Sequence, residues 1–163
     1  MDPEQVEGPE QLLLRMAAGD TSALTFLATI IMGPNDAIPR GEALIVAECF
    51  AGLAATSGTP TARFTLAQVM LARSADMLPY NPVRADDIWW NAAALLFDLA
   101  KDGDMAAAAS LLKGLNDRAD AGDEEAAVLL NETIAILPPA TLTAAKEFRE
   151  KMEAEATAPA GEG

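Results

Sequence analysis

The residues best suited to chemistry in this sequence are carboxylates. Asp86-Asp87 and Asp123-Glu124-Glu125 are the densest groups, and neighbouring acids could divide general acid and base roles between them. Both groups fall where helices are expected to start. There the partial positive charge of the free backbone N–H groups stabilises them without any reaction. The chain has no histidine and a single cysteine, Cys49. That removes the commonest general base and metal ligand, and with it Ser-His and Cys-His nucleophiles. No Gly-rich phosphate loop and no cysteine cluster for zinc occurs. Neither Asp117, Asp120 and Asp123 nor Asp98, Asp102 and Asp104 have the spacing of a calcium loop. The expectation is a protein that is not an enzyme, with no catalytic residue, no cofactor and no metal site.

Charge narrows the partners. Asp and Glu number 25 against 11 Lys and Arg, a net charge of −14. A nucleic-acid binder needs a basic footprint, and none is visible. Anionic membranes should repel the chain. The acidity either keeps the protein soluble or complements a basic partner. Cys49 has no second cysteine to pair with, and its apolar run, Ala43–Ala55, suggests a small core residue. Met1 to Glu10 is acidic and lacks the basic and apolar regions of a signal peptide. Glu48 interrupts the best apolar run, so no membrane insertion is expected and a cytoplasmic location follows.

The elements that position these residues are helices. Apolar residues make up 51% and aromatics only 5%; alanine, leucine and methionine favour helix over strand. One spacing occurs four times around Gly19, Gly58, Gly103 and Gly122. A small residue or Met precedes each Gly by three; Ala follows by four and Leu by eight. Glycine suits the left-handed position past a helix end. The next residue, Asp20, Thr59, Asp104 or Asp123, can cap a new helix. Each pair therefore reads as stop, then start. Ala23, Ala62, Ala107 and Ala126, with Leu27, Leu66, Leu111 and Leu130, share one face and should be buried. The stripe continues at Ile31, Met70, Leu115 and Ile134. Another face carries Ser22 and Thr29, Thr61 and Gln68, Ala106 and Lys113, Glu125 and Glu132. Its varied, mainly polar character suits a solvent or partner surface.

Met16-Ala17-Ala18-Gly19-Asp20 through Leu27, and Ala54-Ala55-Thr56-Ser57-Gly58-Thr59 through Leu66, resemble the junction of the Sel1-like branch of the tetratricopeptide superfamily. Ala28 and Ala67 match that family's small residue after the Leu. The resemblance spans roughly residues 10–137. It implies an α-solenoid that binds proteins, and it transfers no catalytic residue.

In order, the chain predicts an all-α fold of seven to eight antiparallel helices in a short solenoid or compact stack. Residues 1–8 read as a flexible lead-in, 9–155 as a single helical-repeat domain and 156–163 as a disordered tail. Breaks are expected at Gly33 to Gly41, at Pro79-Tyr80-Asn81-Pro82 and at Pro138-Pro139. After the last, Thr141 should cap a helix over Leu142–Glu155. The helix over Val83–Lys101 carries a core stripe of Ala85, Ile88, Trp89, Ala92, Leu96 and Leu99. Trp90 and Phe97 lie on its flank, either wedged between layers or offered to a partner. Trp89 should be the more buried tryptophan. Trp90, Phe97, Thr29, Gln68, Lys113 and Glu132 are the candidate partner-binding residues. The leading expectation is a non-catalytic scaffold or adaptor for a protein or peptide, basic partners included. The alternatives are an acidic inhibitor or immunity-type protein covering a basic surface, and a structural subunit that self-associates.

Overall fold

The computed structural model describes residues 9–34 and 37–157. Among these it holds eight α-helices and no strand. They are α1 (Pro9–Ala17), α2 (Thr21–Met32), α3 (Arg40–Ala55), α4 (Pro60–Met77), α5 (Pro82–Lys101), α6 (Met105–Asp120), α7 (Glu124–Ile136) and α8 (Pro139–Thr157). The architecture is the all-α stack that the spacing predicts. The lead-in over 1–8 and all but the start of the expected tail lie outside the described residues. The chain divides into two compact units, Met1–Ala92 and Ala93–Gly163, with the division inside α5.

Gly19, Gly58, Gly103 and Gly122 all sit between helices, and all four have positive φ, between 74° and 94°. At Gly122 the N–H donates to the Ala119 carbonyl at 2.9 Å, and the Asp123 N–H donates to the Arg118 carbonyl at 3.0 Å. This pair of bonds closes a helix end through a left-handed residue. The same pair forms at Gly19, from Gly19 to Met16 and from Asp20 to Arg15. The aspartates then start the next helix. Asp20 Oδ1 accepts from the Ser22 and Ala23 N–H groups, Asp104 Oδ1 from Ala107 and Asp123 Oδ1 from Ala126. Thr59 differs from expectation, because its side chain caps nothing. Pro60 occupies the first turn of α4 instead and removes one donor that would need a cap.

Two of these turns carry a clip that spans the break. Arg15 Nε donates to Asp20 Oδ2 at 2.7 Å, and Arg118 Nε donates to Asp123 Oδ2 at 2.7 Å. Each aspartate thus caps one helix and holds the last turn of the previous one. Both carboxyls lie below their ordinary value of 3.8. For Asp20 the Arg15 hydrogen bond is the main cause, followed by the Ala23 N–H. For Asp123 the Ala126 N–H comes first and Arg118 second. A carboxyl depressed in the folded state stabilises the fold fully above its unfolded pKa. That contribution is lost as pH falls through the folded value. The acid limb of a melting profile should therefore extend below the ordinary carboxylate value. Asp123→Asn keeps a capping oxygen but cannot titrate, so its profile should lose part of that limb. An identical limb in the variant would show that Asp123 contributes nothing to it.

In the first unit α2 packs on α3 and α3 on α4, and α4 also touches α2. The contact surface is built from small residues. Ala28, Ala47, Ala51 and Val69 form one cluster; Leu24, Ala54 and Ala62 form another. Alanine at a contact brings helix axes towards the short end of the usual spacing. Ser74 Oγ, buried, donates to the Ala85 carbonyl at 2.7 Å and ties α4 to the start of α5. In the second unit α6 packs against both α7 and α8. Ala100, Ala108, Ala109, Leu137 and Ala145 form the cluster there.

The alanines expected in the core, Ala23, Ala62, Ala107 and Ala126, are all buried. The leucines divide. Leu111 is 1% exposed, whereas Leu27, Leu66 and Leu130 are half-buried. At the next step Leu115 is buried and Ile134 is exposed. The cause is how many neighbours cover each helix. Leu111 and Leu115 lie on α6, which has helices on two sides, while Leu130 and Ile134 border an open groove. α8 starts at Pro139, earlier than expected, since proline suits a first helical position. Thr141 is therefore a buried residue inside α8 and not its cap. Asp86 and Asp87 fall in the second turn of α5, past the reach of the dipole at its start.

Candidate partner-binding surface

α3 buries Ala43, Leu44, Ala47, Ala51 and Ala54 against its neighbours. Two residues along a helix lie about 200° apart around its axis. Ile45, Cys49 and Leu53 are therefore on the side opposite Ala47 and Ala51, four residues apart in a line. Ile45 is 50% and Leu53 58% exposed, and Val46 widens the strip. Cys49 is exposed as well, which corrects its expected place in the core. The run is apolar on both sides of the helix; the side with Ala43, Leu44, Ala47, Ala51 and Ala54 is the buried one. Glu48, at the margin, is neutralised by Arg73 of α4 at 2.5 Å. On α2, Phe26 and Ile30 are likewise four apart and more than half exposed, across the axis from the buried Leu24 and Ala28. Single exposed apolar side chains are ordinary on a protein surface; here three lie in one line along α3.

The six candidate residues divide between the units. Thr29, Gln68 and Trp90 belong to the first; Phe97, Lys113 and Glu132 belong to the second. Thr29 is exposed, and its hydroxyl donates to the Thr25 carbonyl of its own helix. Gln68 is half-buried. Lys113 is exposed and pairs with Asp117 one turn on, at 2.5 Å; Glu132 is exposed. Trp89 and Trp90 are both half-buried, so Trp89 is not the plain core residue its place in the stripe predicts. Their rings meet edge to face, 4.9 Å between centroids and 88° between planes. That geometry favours the contact beyond simple area burial. Phe97 is half-buried, with Lys101 Nζ 5.0 Å from its ring centre. Both aromatics are more enclosed than Phe26 or Leu53.

Sequence reasoning missed the outer strip of α3. Its signal was present: alanines on one helical face, large apolar residues on the other. Among the described residues no three Cys, Asp or Glu side chains converge as a metal would require. No described helix is long and apolar enough to cross a membrane. The displaced carboxyls, Asp20 and Asp123, serve helix turns. No protein-family model, curated protein or solved structure matches this chain.

Proposed function

We propose that the protein is a non-catalytic interaction module, an adaptor of the Sel1-like helical-repeat type, whose protein partner docks on the outer face of α3. The observation that carries this reading is the line Ile45, Cys49 and Leu53, exposed and backed by a buried alanine stripe. Such a line offers apolar area without disturbing the fold that presents it. A few apolar anchors in a contact usually supply most of its energy.

The test is capture of partners from the source cell at low and at high salt, with wild type and with Ile45→Asp/Leu53→Asp. Apolar contacts survive salt, whereas charge complementarity between exposed groups is screened. The expected result is a partner retained in high salt and lost from the double variant, whose melting temperature matches wild type. A partner released by salt and indifferent to the variant would overturn this reading in favour of an acidic inhibitor of a basic surface. Light scattering on the purified chain identifies the remaining alternative, a self-associating subunit, if the variant also abolishes an oligomer.

A further inference from the structure

The second unit contains an open groove of about 230 Å³ lined by α6, α7 and α8. Its composition is graded along its length. Successive helices joined by short turns run antiparallel, so α6 and α8 point the same way. Towards their N-terminal ends the walls are Leu112 and Leu142, with Ile134 of α7 opposite. Towards their C-terminal ends the walls are Asn116, Lys146 and Arg149, with Leu130 of α7 opposite. Every charged side chain lining the groove is a cation, in a chain whose net charge is −14. Leu142, Lys146 and Arg149 lie four and three residues apart, which places them on one face of α8.

We propose that this groove binds a small amphipathic carboxylate, with its apolar chain along Leu112, Ile134 and Leu142 and its carboxylate between Lys146 and Arg149. The site is separate from the strip on α3. Its volume falls below the usual range for pockets that bury drug-sized ligands, about 300–1,000 Å³, and suits a single short acyl chain. The cations have partners now: Lys146 lies 3.9 Å from Glu150 and Arg149 3.4 Å from Glu153, each one turn on. Both are exposed pairs, which hold their geometry weakly, so a ligand carboxylate can replace them at little cost. Asn116 donates to Asp120 at 2.9 Å, which directs its amide oxygen away from that acid. Glu150 and Glu153 already lie against the two cations, so an entering carboxylate displaces them; the rest of the negative charge opposes it at longer range. At physiological ionic strength that charge is largely screened beyond about 8 Å.

The experiment is calorimetric titration of the full chain with octanoate, octylammonium and octanol at physiological ionic strength, below any micelle concentration. The expected result is saturable binding of one octanoate per chain and no saturable binding of octylammonium. Lys146→Gln/Arg149→Gln should weaken octanoate on the order of tenfold while the melting curve stays that of wild type. Filling the apolar end with Ile134→Trp, at a half-exposed lining position, should abolish binding in a chain shown to be folded by its helical circular dichroism. Absence of saturable octanoate binding would overturn the proposal. So would equal binding of octylammonium or octanol, which marks plain apolar partition, and so would an unweakened double variant.

Discussion

Leu111→Ala should lower the free energy of unfolding by about 2–5 kcal/mol. Leu111 is 1% exposed and sits on the helix that both α7 and α8 cover. Its removal costs the transfer energy of the lost carbons and leaves a cavity. The neighbours along α6 are Ala107, Ala108 and Ala109, all buried. Alanine has no rotamer with which to close a gap, so the cavity persists and the loss falls towards the upper part of that range. Leu66→Ala gives the contrast. Leu66 is half-buried at the margin of the cluster of Ala28, Ala47, Ala51 and Val69. Solvent can reach the space it vacates, and the helices can settle inward. Its loss should be clearly smaller. Urea unfolding of both variants checks the ranking, as do their melting temperatures, which move by about 2–4 °C per kcal/mol in a chain of this size. Equal losses would mean that the two leucines are equally enclosed, and the account of α6 as the doubly covered helix would fail.

That contrast shows which parts of the structure were legible in the sequence. The turns were legible because their causes are local. A left-handed backbone position selects Gly, and three of four caps select Asp, so residue type and position follow from one another. The Arg15–Asp20 and Arg118–Asp123 clips are local too; aligning the copies around their glycines would have exposed both. Burial of the leucine stripe was only half legible. Helical periodicity says which residues share a face, but not how many helices will cover that face. Leu111 and Leu130 occupy the same place in their copies and differ in their neighbours. The strip on α3 was misread for a related reason. The apolar run Ala43–Ala55 suggested a core place for Cys49. The alanines were the better guide, because close helix packing favours alanine at the contact, and four of the five buried residues of α3 are alanine. The groove in the second unit was not legible at all. It depends on three helices coming together, and Lys146 and Arg149 in the sequence look like part of an ordinary alternating-charge surface.

Gly122→Ala and Gly52→Ala should change stability in opposite directions, although each adds one methyl group into open space. A Cβ built at either position meets nothing within 4 Å. Contacts therefore cancel from the comparison, and only the backbone differs. Gly122 holds φ at 93°. An L-residue there brings its Cβ against the neighbouring carbonyl, at a cost of about 1–2 kcal/mol. Gly52 lies within α3, in helical backbone that alanine adopts freely. Alanine there restricts the unfolded chain and favours helix, a gain of roughly 0.5–1 kcal/mol. Asp123 adds to the loss at Gly122. Its N–H bonds back to Arg118 while its carboxylate caps α7, so a shift of φ at Gly122 disturbs both the end of one helix and the start of the next. Gly52→Ala also sits beside the exposed strip of α3, so its effect on partner capture separates added apolar area from altered stability. Chemical unfolding of the two variants against wild type is the measurement. If Gly122→Ala were neutral, the left-handed turn would not be a requirement of this junction, and the stop-and-start reading of the four glycines would lose its physical basis.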